Sequence, residues 1–222
     1  MPVWKPEAKW AGQDVFIIGG GNSLRERHFD WNLLKPELTI GCNTAFLLGP
    51  EVCKICVGGD RRWFEHFEDD LEKFKGVVFT NHSSLRNSKK PWLWWIGRES
   101  VGLHTTSLGW NGNTGAVAIN LALVLGASRI FLLGFDMKIV AGKSNWHDHI
   151  LDKTAVRPEV YPKFCEEFRH VYKDWKAKFA DREIINVTDD SNLEWFPKVP
   201  FDAFWKERIK RWDAMELKKA GR

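Results

Sequence analysis

Apolar residues arrive along this chain in short blocks, each halted by glycine or by small polar residues. The clearest block is VFIIGGGNSL, residues 15–24: four apolar positions, then Gly19, Gly20 and Gly21, then Asn22 and Ser23. A run of that length halted by glycine predicts a buried strand over 14–18 entering a tight turn. A short helix near 23–28 follows, with Asn22 or Ser23 as its cap. The same layout at 38–42, 54–58 and 77–80 predicts three more strands. Residues 61–74 carry apolar side chains at 63, 64, 67, 71 and 74, a helical spacing. Residues 116–125 are almost wholly apolar and predict a buried helix opened by Asn113-Thr114-Gly115 and closed by Gly126. RIFLLG at 129–134 is an apolar strand of the central parallel kind. A helix over 162–179 and a last strand over 183–187 complete the repeat.

Two stretches break this rhythm. Residues 84–112 combine Trp92, Trp94, Trp95 and Trp110 with basic residues and turn formers, and read as a loop-rich insert. Loops of that length in a compact domain are usually functional or disordered, and the aromatics argue against disorder. A lid or acceptor-side wall is one reading of it, with Trp92, Trp95 and Trp110 as candidates; a small apolar subdomain is the other. The tail, 201–222, sets Phe201, Phe204, Trp205, Ile209 and Trp212 on one face and basic residues on the rest. Such a helix either packs on its own domain or meets a membrane surface or nucleic acid.

Alternating strands and helices predict an α/β fold: one Rossmann-like domain over 1–222, its sheet mostly parallel with helices on both faces. In an open parallel sheet, ligands bind outside the carboxyl ends of the strands. Those ends deliver Gly19 to Ser23, Asn43, Asp60 and Asn81 to Ser83 in succession, and Asp136 closes strand 129–134. A glycine turn leading into a helix N-terminus is a ready anion site, and Thr114-Gly115 is a second candidate beside it. GGGNS is neither G-x-G-x-x-G nor a Walker A loop. The polar loop over 139–158 adds His147, Asp148 and His149, for which acid–base work, metal ligation and a plain surface loop compete. Histidines two apart share no helix face, and no third strong ligand is evident, so no resident metal is expected.

The net charge of +4 suits an anionic ligand, nucleic acid or a membrane surface without choosing among them. Thirteen tryptophans favour stacking on rings, whether of bases, pterins or sugars, but also fill cores. The four cysteines read as buried, inert thiols, which fits a reducing cytoplasm. No apolar run approaches the ~18–20 residues of a membrane span, and the opening MPVWKPEAKW lacks a signal-peptide layout.

Three blocks give the chain a family likeness: IIGGGNSL (17–24), GCNTAF (41–46) and NTGAVAINLALVLGASRIFLLGFDM (113–137), with a weaker fourth in EIINVTDDSNLEWF (183–196). It resembles the small bacterial sialyltransferases that use CMP-sialic acid, and the related 6-hydroxymethylpterin pyrophosphokinase-like domains. The resemblance implies a nucleotide-sugar donor of the CMP type, contacted by Gly20, Ser23 and Asn43, with Thr114 and Gly115 against the nucleotide and Asp136 closing the G-x-D strand. It also marks departures: Asn22 stands in place of Pro, and the family's catalytic His falls near Arg157. Its phosphate-contacting tyrosines have no counterpart, the only tyrosines being Tyr161 and Tyr172. His147 or His149 is then the candidate base. The acceptor is a glycan or a nucleic-acid base. The alternatives are a Mg²⁺-dependent pyrophosphokinase, with Asp60, Asp136 or Asp148 as metal ligands, and a non-enzymatic module that binds nucleic acid.

Overall fold

The computed structural model describes residues 7–149 and 158–220, with side chains to residue 217. The first six residues, Arg157 with the rest of 150–157, and the basic side chains of Lys218, Lys219 and Arg222 lie outside the described residues. In chain order the elements begin with β1 (Asp14–Ile18), α1 (Ser23–Glu26), β2 (Leu38–Cys42) and β3 (Ile55–Gly58). There follow α2 (Arg61–His66), α3 (Glu68–Lys73), β4 (Val77–Thr80), β5 (Leu93–Trp95), β6 (Arg98–Glu99) and β7 (Leu108–Gly109). The chain continues through α4 (Thr114–Val124), β8 (Arg129–Leu133), α5 (Tyr161–Lys178), β9 (Glu183–Asn186) and α6 (Phe201–Ala220).

Seven parallel strands form one sheet in the order β5-β4-β3-β2-β1-β8-β9. Strand β1 alternates strictly: Val15 and Ile17 face one side, Phe16 and Ile18 the other. Both faces are covered, which is why its sequence is a continuous apolar run. On the first face lie α4 and α5, through Val117, Leu121, Phe168 and Val171. On the second, Phe16 stacks between Phe131 (5.0 Å) and Trp205 of α6 (5.5 Å). Helix α4 is buried from Ala116 to Val124 on every side, as a helix with apolar residues all round must be.

The expected α/β architecture is present, with two local differences. The helix expected over 61–74 breaks at Phe67 into α2 and α3, and the acidic Glu68-Asp69-Asp70 forms the first turn of the second. Acidic residues favour a helix start there. The 84–112 insert supplies a strand: β5 pairs with β4 as the sheet edge. At three residues it is too short to show a period. The rest of the insert is tied down by Asn111 and Asn120, whose side-chain oxygens accept from the N–H groups of Gly102, His104 and Gly109. The basic tail lies on its own sheet: Arg208 pairs with Glu37 (2.7 Å) and Asp14, and Trp212 Nε1 donates to Glu37 at 3.1 Å. Among the described residues, no helix is long and apolar enough to cross a membrane.

Candidate functional site

Strand order reverses at β1: the next four strands run out to one side, while β8 and β9 lie on the other. Such a switch point leaves a crevice outside the carboxyl ends of the strands. A cavity of about 460 Å³ occupies it. Gly19, Gly20, Gly21, Asn43, Thr114, Gly115, Asp136, His147 and His149 line this cavity, whereas Asn22, Ser23, Asp60, Trp92, Trp95 and Trp110 do not.

The glycine turn is shaped by the chain itself. Gly19 and Gly21 donate to Leu133 O and Gly134 O, both at 2.8 Å. A Cβ on Gly19 would fall 2.6 Å from Gly134 O, and one on Gly21 2.4 Å from Asp136 Cγ. Glycine is therefore required by the close approach of β8. Asp136 then fills the start of α1: its carboxylate accepts from Ser23 N at 2.8 Å and from Ser23 Oγ at 2.5 Å. Burial raises the Asp136 pKa, and the hydrogen bonds from Ser23 pull against that rise. Asn22 does not cap α1 with its side chain, contrary to expectation. It is buried and donates instead to Val140 O (2.9 Å) and Glu26 (3.3 Å).

Helix α4 begins differently. Asn113 is extended, and its side chain accepts from Ala116 N at 2.8 Å. Thr114 Oγ1 donates to Asn43 Oδ1 at 3.3 Å, with Asn43 itself in the left-handed region (φ 51°). The N–H groups of Thr114 and Gly115 have no acceptor among the described residues and belong to the cavity wall. Eleven residues of helix put a partial positive charge behind them. The second candidate read from the sequence thus keeps its donors without acceptors among the described residues, while the first is occupied by an internal carboxylate.

The 138–149 loop is strapped across the glycine turn. Trp146 donates its backbone N–H to Gly20 O and its indole N–H to Gly19 O, both at 2.9 Å. Asp148 pairs with Arg25 (3.0 Å) and Lys143 (3.3 Å) at the surface. These ties bring His147 and His149 to the cavity, with ring centroids 6.4 Å apart. Burial first, and then the charge of His149, push the His147 pKa down to about 4, against the pull of Asp148. At neutral pH the His147 imidazole is unprotonated, and its buried Nδ1 has no partner among the described residues.

Trp63, Asn145, Tyr161 and Phe164 also line the cavity, though the sequence did not single them out. Trp63 and Phe164 read as apolar helix positions, which in part they are. Tyr161 brings a phenol to a cavity where no tyrosine was expected, and burial and Asp136 raise its pKa. Asp60 caps α2 by accepting from Arg62 N at 2.8 Å. Trp95 lies on the edge strand β5, and Trp110 packs against Gly59. Asp60, Asp136 and Asp148 do not converge, and among the described residues no group of three His, Cys, Asp or Glu is placed to hold a metal ion. The four cysteines are free thiols; burial raises the pKa of Cys42 in the cavity wall.

Neither a protein-family profile nor a curated protein matches the chain by sequence. Solved structures do match. The MAf glycosyltransferase of Magnetospirillum magneticum AMB-1 superposes with a TM-score of 0.62 at 14% identity over 90% of this chain. The chain spans only 35% of that protein. The sialyltransferase CstII of Campylobacter jejuni, in complex with cytidine-5'-monophosphate, superposes with a TM-score of 0.51 at 13% identity, covering 86% of each chain. At these identities the likeness is one of fold: the chain is similar in its α/β architecture to these two glycosyltransferases.

Proposed function

We propose that the protein is a glycosyltransferase-type transferase that takes a nucleotide-activated sugar, a CMP-sugar by preference, into the cavity between β1 and β8. The observation that carries this reading is the open start of α4, where the Thr114 and Gly115 N–H groups have no acceptor among the described residues and both residues line a cavity of about 460 Å³. That volume suits a small-molecule ligand, and a helix N-terminus with free donors suits phosphate. Gly20 allows backbone close to the ligand, and Asn43 and Tyr161 supply polar contacts. The captured CMP of the similar CstII structure supports the choice of nucleotide.

His147, unprotonated at neutral pH, is assigned as the general base that takes the proton of an acceptor hydroxyl, with His149 beside it. The acceptor is a sugar or a nucleic-acid base. Four free thiols agree with a cytoplasmic site of action.

Thermal shift against CMP, CDP, UDP, GDP, ADP and ATP, each with and without Mg²⁺, tests the reading. A ligand at a hundred times its Kd adds about 2.7 kcal/mol to stability and raises Tm visibly. A metal-independent rise with a cytidine nucleotide is expected. A rise only with ATP and Mg²⁺ would turn the assignment to diphosphate transfer, and no rise at all would remove it. His147→Ala should then lower turnover while leaving nucleotide affinity in place.

A further inference from the structure

The carboxyl edge of the sheet continues past the cavity to the ends of β3 and β4, where a second group of side chains gathers. Trp110 sits beside the cavity, its carbonyl accepting from Asn113 N at 3.3 Å, and its ring packs so closely on Gly59 that a Cβ there would fall 1.9 Å from Cζ3. The Arg98 guanidinium lies over this ring, 4.8 Å from its centroid. The Arg86 guanidinium lies over Trp95 in the same way, at 5.1 Å. Trp95 is itself fixed by its indole N–H, which donates to His82 O at 3.2 Å. His82 Nδ1 accepts from Ser84 N at 3.3 Å, which leaves Nε2 to carry the ring proton. Around His82 stand the charges of Arg98, Arg61 and Asp60. Arg61 is paired with Glu65 (2.6 Å), whereas neither Arg86 nor Arg98 has an ion-pair partner among the described residues.

An arginine stacked on a tryptophan keeps its in-plane N–H fork free while its orientation is set by the ring. Two such forks, neither ion-paired among the described residues, with an imidazole N–H near Arg98, are donors of the kind an oxyanion takes. One face of Trp95 and one of Trp110 carry these guanidiniums and are not bare platforms for a base or a sugar ring. Trp95 and Trp110 thus aim cations.

We propose that this shelf, anchored by Arg98 and Arg86 with His82, is the subsite for an oxyanion (phosphate or carboxylate) carried by a sugar acceptor. The word acceptor rests on the donor reading of the neighbouring cavity; the anion site does not.

Isothermal titration of the full chain tests both separately. The probes are CMP for the cavity, and glucose 6-phosphate, glucuronate, glucose and a ten-nucleotide single-stranded DNA for the shelf. The charged sugars should bind the native chain at least about tenfold more tightly than glucose, and Arg98→Gln and Arg86→Gln should each remove about tenfold. Arg98→Lys, which keeps the charge without the fork, should fall between, and CMP affinity should hold in all three variants. The two charged sugars distinguish phosphate from carboxylate. Charged-sugar binding that is absent, or unchanged by Arg98→Gln and Arg86→Gln, would overturn the shelf while leaving CMP binding intact. Tighter, Arg98-dependent binding of the DNA would overturn it in favour of a nucleic-acid backbone. Arg98-dependent binding of a charged sugar without any CMP binding would keep the shelf and remove the donor reading.

Discussion

Two helices start at neighbouring points on the same edge of the sheet, and they differ in what meets their first N–H groups. At α1, behind Gly21, the Asp136 carboxylate accepts from Ser23 and closes the site from within. At α4, the Thr114 and Gly115 N–H groups have no acceptor among the described residues, and the side chain of the capping Asn113 accepts from Ala116 N. Both starts look alike as sequence, with small residues next to glycine after an apolar strand or loop. Glycine records that something comes close, and what comes close is settled elsewhere. At α1 it is the end of β8, while at α4 no carboxylate among the described residues takes the corresponding place.

The sharpest way to break the comparison is to empty the filled site. Asp136→Ala leaves the half-buried Ser23 N–H and hydroxyl without their acceptor, and is expected to cost about 1–3 kcal/mol, read as a lower urea midpoint. A cost below about 1 kcal/mol would mean that water replaces the carboxylate. The converse experiment fills the open site. Thr114→Asp puts a carboxylate at the start of α4, where the helix field stabilises it by about 0.3–1 kcal/mol. Stability should hold or rise slightly, while nucleotide affinity falls more than about tenfold by charge repulsion at the phosphate position. Unchanged affinity in that variant would place the phosphate elsewhere.

A smaller effect separates the loop that carries the histidines. The folded chain holds His147 with a pKa of about 4, below the ordinary 6.5, so the unfolded chain takes up this proton first as the pH falls. The His147 contribution is therefore full above about pH 6.5 and is lost as the pH drops towards 4. Solvent at this half-buried ring damps the loss to on the order of 1 kcal/mol. His147→Ala should flatten the stability difference between pH 7 and pH 5 by that amount, measured by urea unfolding at each pH. An unaltered slope would mean that the imidazole protonates freely in the fold. The smallest effect belongs to the cap of α4: Asn113→Ala should cost about 1 kcal/mol, with nucleotide binding weakened only through fraying of the helix start.

The strands were legible in the sequence almost residue for residue: 14–18, 38–42 and 77–80 coincide with β1, β2 and β4. Burial on two faces makes a parallel strand an unbroken apolar run, and such a run is visible locally. Helix α4 was legible for the same reason. The edge strand β5 was not, because three residues between Pro91 and Gly97 display no period. In the site, Gly20, Asn43, Thr114 and Gly115 could be named from strand-end and helix-start positions. Trp63 and Tyr161 could not, since a side chain that packs a helix and one that also borders a cavity occupy the same kind of position in a helical pattern.

By itself, then, the chain determined its elements, which of their faces are buried, and where backbone must pass close to something, because periodicity and glycine act over a few neighbouring residues. Tertiary structure alone decided the partners. Ser23 meets Asp136 across 113 residues, Trp146 clamps the glycine turn from 127 residues away, and Arg86 and Arg98 find the faces of Trp95 and Trp110. Those contacts depend on strand order, with β8 inserted beside β1, and no local pattern of polar and apolar residues carries that order.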